Sequence, residues 1–108
     1  MSIRNVSAAG SFYPNSCEEI KRYIEHFNAI LKNANYGIEI NIKPKAIIVP
    51  HAGYVYSGFT ANVAYRYTKN IKPKRVIVIG PSHKVFLEGA SVGLFQQYRT
   101  PCANLEMD

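Results

Sequence analysis

A nine-residue block occurs twice in the chain, and it limits the fold more than any other feature. Asn41-Ile42-Lys43-Pro44-Lys45-Ala46-Ile47-Ile48-Val49 recurs almost residue for residue as Asn70-Ile71-Lys72-Pro73-Lys74-Arg75-Val76-Ile77-Val78, and the copies start 29 residues apart. In each copy a basic, proline-bearing entry leads into an unbroken apolar run rich in β-branched residues. Unbroken runs, as opposed to alternation, belong to strands buried on both faces of a parallel sheet. A spacing of ~30 residues is that of one strand–helix–strand unit. Two copies are too few for a stacked repeat array.

The intervening segment supplies the helix of that unit. Ser57 is a candidate cap for a helix over 58–69, with Phe59, Val63 and Tyr67 in one apolar line and Ala61 and Ala64 small enough to approach a sheet. The crossover is expected to be right-handed. Upstream, Ser16-x-x-Glu19 is a candidate capping box. After it Ile20, Tyr23, Ile24, Phe27, Ile30, Leu31 and Ala34 recur at three- and four-residue steps. That periodicity predicts an amphipathic helix over 17–34, with its stripe running out near Gly37. Lys21, Arg22, Glu25, Asn28 and Lys32 take the other face, and His26 among them reads as a surface residue. Residues 5–15 read as an irregular arm anchored by Phe12 and Tyr13, and 96–108 show no clear period.

The expectation is one α/β unit over 1–108, a parallel or mixed sheet with flanking helices. Its strands are placed at about 45–50, 75–80 and 90–95, the last the weakest. Two strong strands and two helices make an incomplete sheet of this kind. An open edge invites pairing, so self-association, or further polypeptide, is expected to cover it.

The net charge of +6 raises a nucleic-acid reading. Lys43, Lys45, Lys72, Lys74 and Arg75 fall just before the two apolar runs, at the edge of the sheet opposite the strand ends, and this argues against it. No apolar run approaches the ~18 residues of a membrane span. The N-terminus lacks a secretory pattern, so the expected location is the cytoplasm. Cys17 and Cys102 fit no metal-ligand spacing, and reduced thiols are the expectation for two isolated cysteines inside a cell.

Each apolar run ends in a glycine- and proline-bearing turn that carries a histidine: Val49-Pro50-His51-Ala52-Gly53 and Ile79-Gly80-Pro81-Ser82-His83. Open α/β sheets bind ligands beyond the carboxyl ends of their strands. With parallel neighbours ~4.8 Å apart, His51 and His83 leave one edge within reach of a common metal. Imidazole suits zinc, copper and iron, and two histidines with one carboxylate form a facial set for Fe(II). Glu88, Cys102 and Asp108 are the candidates for a third donor, none with a diagnostic spacing. Either histidine also suits general acid–base work. Ser82 beside His83 lacks the G-x-S-x-G context of a hydrolase nucleophile.

These blocks, together with Ala9-Gly10-Ser11-Phe12-Tyr13-Pro14, the continuation Tyr54-Val55-Tyr56-Ser57-Gly58 and Tyr98-Arg99-Thr100-Pro101, resemble the Memo family (mediator of cell motility and the AmmeMemoRadiSam system protein B group). The resemblance covers nearly the whole chain and matches only the N-terminal part of the family, whose members are usually more than twice as long. It implies an α/β fold akin to the class III extradiol dioxygenases. It also implies that His51 and His83 are two metal ligands, with Phe12 in the pocket; no further residue is carried over, and Tyr54, Ser82 and Arg99 are secondary candidates for its wall. Phe12 stands where the family usually has tryptophan, and Cys102-Ala103 stand where it has Leu-Gly. Two functions follow as expectations for the full-length form. One is an iron- or copper-dependent, dioxygenase-type redox activity, with zinc as a further candidate metal. The other is a non-catalytic cleft that takes a phosphorylated or aromatic small-molecule or peptide ligand. Metal binding is expected to be weak or absent in 108 residues alone, and catalysis by them is not expected.

Overall fold

The computed structural model describes residues 2–34 and 41–108. Helix α1, Cys17–Asn33, forms as its periodicity predicts. Ser16 sits in extended conformation before it and its Oγ accepts the Glu19 N–H at 3.2 Å. Glu18 and Glu19 stand in the first turn and Lys32 in the last, signs that complement the helix dipole. The predicted stripe is broader than what is covered. Ile20, Phe27 and Leu31 are buried, whereas Ile24 and Ile30 stay exposed. Gly37, the expected end of the stripe, lies outside the described residues.

The second helix starts earlier than expected and is not uniform. Tyr54–Gly58 forms a wide π-helical turn, Phe59–Tyr65 is α-helical (α2), and Arg66–Thr68 closes in a 3-10 turn. Ser57 does not cap it; its Oγ donates to the Ala52 carbonyl at 3.1 Å. The physical reason is the approach to α1. A Cβ on Gly58 would stand 3.0 Å from Phe27 Cε2, so glycine lets α2 begin against that ring without displacing it. Phe59 meets the same ring edge-on at 6.0 Å, and Asn62 Nδ2 donates to Asn28 Oδ1 at 2.8 Å across the two helices.

The sheet is α/β in company but differs from the expected one in its strands. Its three short strands are β1, Ile3–Arg4, β2, Gln97–Arg99, and β3, Asn104–Glu106, in the order β1-β2-β3. β1 runs parallel to β2 and β3 antiparallel to it, so the sheet is mixed. The strands expected at 45–50, 75–80 and 90–95 are not strands here. The 46–49 and 76–79 runs take no part in any ladder among the described residues. Val76, Ile77, Val78 and Ile79 are exposed, as is Ile48 at 99%. An unbroken apolar run signals a strand that needs a neighbour on each side and a layer on each face. Among the described residues no such neighbours cover these runs, and with no strand at either end the handedness of a crossover does not arise. Two- and three-residue strands such as β1–β3, in turn, are too short to show a period.

Candidate functional site

The two apolar runs do not pair, yet their carboxyl ends converge. His51 Nε2 and His83 Nε2 are 3.1 Å apart, with ring centroids at 5.1 Å and planes tilted by 52°. Both residues are exposed. At this distance one ring can donate its N–H to the other, with the tautomers setting which is donor.

The same separation suits two ligands of one ion. Metal–nitrogen bonds of ~2.1 Å at angles from octahedral to tetrahedral put the nitrogens ~3.0–3.4 Å apart. The observed distance falls inside that window. The pair therefore fits as half of a metal site. A full donor set is not assembled by this part of the chain: among the described residues no group of three or more His, Cys, Asp or Glu is placed to hold an ion. Of the three candidate third donors, Cys102 is bonded to Cys17 and Asp108 forms an ion pair with Arg75. Glu88 joins no such group.

The loop after His51 is fixed from the N-terminal arm. The Phe12 carbonyl accepts the Tyr54 N–H at 2.8 Å, and a Cβ on Gly53 would stand 3.3 Å from that oxygen. Gly53 thus allows the histidine loop to lie against the arm. Phe12 itself is 54% exposed. The Tyr54 ring turns toward the helices, 6.1 Å from Tyr13 and edge-on to Tyr23 at 6.0 Å. Burial, with Tyr65 and Tyr13 nearby, raises its pKa above the usual tyrosine value. Ser82 Oγ donates to the Val85 carbonyl and so shapes the His83 turn. Arg99 Nη1 donates to Asn5 Oδ1 at 2.9 Å and braces β2 against the residue after β1. A groove of about 670 Å³ lies between α1 and α2, lined by Phe27, Tyr54 and Tyr65 with Lys32, Arg66 and Lys69, and neither histidine lines it.

One feature of the chain left no mark in the sequence. Cys17 and Cys102, expected as separate reduced thiols, are joined in a disulfide across 85 residues. The β2–β3 turn carries Cys102 to the start of α1 with Cα atoms 4.7 Å apart, inside the span a disulfide can bridge. Nothing in the spacing of two distant cysteines signals this contact. No helix is long and apolar enough to cross a membrane among the described residues.

Comparison with known proteins agrees with the motif blocks. A family model described as "Memo-like protein" matches residues 4–108. A "MEMO1 family protein" of Aquifex aeolicus is 35% identical over the whole chain and 38% of its own length. The "Protein memo-1 homolog" of Caenorhabditis elegans is 36% identical over 97% of the chain and 28% of its own length. "Protein MEMO1" of Danio rerio is 36% identical over the whole chain and 34% of its own length. The chain thus spans well under half the length of these relatives. No solved structure matches it.

Proposed function

The chain belongs to the Memo-like family, and from that membership we propose that His51 and His83 are two ligands of a divalent transition metal in a cleft used for redox chemistry of the dioxygenase type. The observation that carries this reading is the 3.1 Å between their Nε2 atoms. Iron and copper are the metals proposed, with zinc a third that imidazole accepts. Such an ion supplies open positions for O₂ and substrate and Lewis-acid polarisation of what binds there.

This chain's own residues do the rest. The π-helical turn and the Ser57–Ala52 hydrogen bond hold the His51 loop, and Ser82 holds the His83 turn. The remaining ligands are assigned to polypeptide beyond the matched region, and the activity to the full-length form. Phe12 is assigned to the pocket, with Tyr54, Ser82 and Arg99 as weaker members of its wall.

The test is metal content of the full-length form after anaerobic reconstitution with Fe(II), and separately with Cu(II), by elemental analysis of the wild type, His51→Ala and His83→Ala. Retained metal in both variants removes the assignment. Calorimetry with phenyl phosphate, with and without EDTA, separates this reading from a chelator-insensitive binding cleft.

A further inference from the structure

The described residues form a helical body and a sheet that scarcely touch. α1, the π-helical turn and α2 pack together, while β1, β2 and β3 contact one another; among the described residues no strand comes within 8 Å of a helix, Cα to Cα. Among the described residues no hydrogen bond or ion pair runs between a strand and a helix. Apart from the connecting chain, the Cys17–Cys102 disulfide spans the gap, from the first residue of α1 to the turn between β2 and β3.

We propose that this disulfide is a thiol–disulfide exchange site, a clasp whose opening releases the sheet from the helical body, and that small thiols and dithiols are its reactants. Cys102 is exposed on the turn and open to attack. Cys17, the first residue of α1, is less exposed than Cys102, so the turn cysteine is the one an incoming thiolate reaches and Cys17 is the leaving sulfur. A dithiol reacts in two steps. Its thiolate attacks Cys102 Sγ, the S–S bond breaks, and the electron pair leaves on Cys17 Sγ, which then takes a proton. The second thiol of the reagent displaces Cys102 from the mixed disulfide, so the dithiol is oxidised by two electrons and both cysteines end as thiols. A small disulfide such as oxidised glutathione drives the reverse reaction.

The turn is built to survive opening. Thr100 Oγ1 accepts the N–H groups of Cys102 and Ala103, at 3.2 and 3.0 Å, and donates to the Ala103 carbonyl at 2.7 Å. The Thr100 N–H also reaches that carbonyl, at 2.8 Å. None of these bonds needs the sulfur link. What opening removes is the anchor of a small sheet, and small sheets without a packed face are marginal on their own.

Hydrogen exchange on the full chain, before and after tris(2-carboxyethyl)phosphine, tests the clasp. Reduction is expected to speed exchange in Gln97–Arg99 on the order of tenfold or more, with α1 unchanged. Equal exchange before and after, or simultaneous loss of protection in α1 and the sheet, overturns the proposal. Thiol counting on the air-oxidised, unreduced protein is the second readout: no free thiol is expected, and two free thiols overturn it. Brief treatment of the wild type with reduced glutathione, followed by N-ethylmaleimide, is expected to leave glutathione on Cys102 and maleimide on Cys17, read by peptide mass spectrometry. Glutathione on Cys17 and maleimide on Cys102 overturns the assignment of the attacked sulfur.

Discussion

His51 and His83 stand Nε2 to Nε2 at 3.1 Å although the backbone runs that carry them share no ladder. The contact is made by the turns that follow each run. A ligand that binds only the folded state stabilises it by ~2.7 kcal/mol at a hundredfold excess over its Kd. Titration of the full-length form with Zn(II), chosen as redox-silent, should therefore raise its thermal midpoint, and the shift should vanish in His51→Ala and in His83→Ala. Thermal denaturation followed by circular dichroism checks this.

The start of α1 depends on one hydroxyl. Ser16→Ala removes the acceptor for the Glu19 N–H and should cost about 1 kcal/mol. Ser16→Asp should recover most of it, because a carboxylate caps and also favours the positive end of the helix dipole. Urea denaturation of the three proteins measures the differences.

Gly58 marks the closest approach of α2 to α1, with Phe27 Cε2 3.0 Å from where a Cβ would stand. Gly58→Val should force that ring aside and destabilise the pair by about 1–3 kcal/mol, the cost typical of overpacking. Gly53→Val should instead disturb the contact with the Phe12 carbonyl, and with it the His51 loop. Metal-dependent thermal shifts should fall for Gly53→Val more than for Gly58→Val.

Tyr54 makes the molecule sensitive to alkali. Its pKa is raised in the folded state, mainly by burial. The folded protein therefore holds this proton more tightly than the unfolded chain does. The associated stability is fully present below the ordinary tyrosine value of about 10 and is lost as pH rises through the higher folded value. Tyr54→Phe should show a shallower fall in stability above pH ~10, read from urea midpoints across an alkaline series.

Val76, Ile77, Val78 and Ile79 are each at least 74% exposed, a contiguous apolar row that joins no ladder among the described residues. Such rows recruit partners. The chain on its own should self-associate, and Val78→Lys should weaken the association. Sedimentation velocity over a concentration series decides it; a concentration-independent monomer would contradict the expectation.

How much of this was legible in advance depends on the range of the interaction. α1 was readable because its signals lie within a few residues: a serine cap, acids in the first turn and an apolar step of three or four. The histidine turns were readable because glycine and proline mark local backbone shape, and a repeated block places two such turns alike. The sheet was not. The strongest apolar runs describe a demand for burial, and a demand names no partner; the ladders formed instead in segments too short to carry a period. The same holds for Tyr54, whose ring joins the helical aromatic cluster through Tyr13 and Tyr23.

The amino-acid order alone determined the helix, the family and the two imidazoles, since each is written in neighbouring residues. Only the tertiary structure decided that those imidazoles touch, that α2 opens as a wide turn against Phe27, and that Cys17 meets Cys102. Contacts between residues 32 or 85 positions apart depend on how loops close in space, and the chain carries no local chemical signal of that.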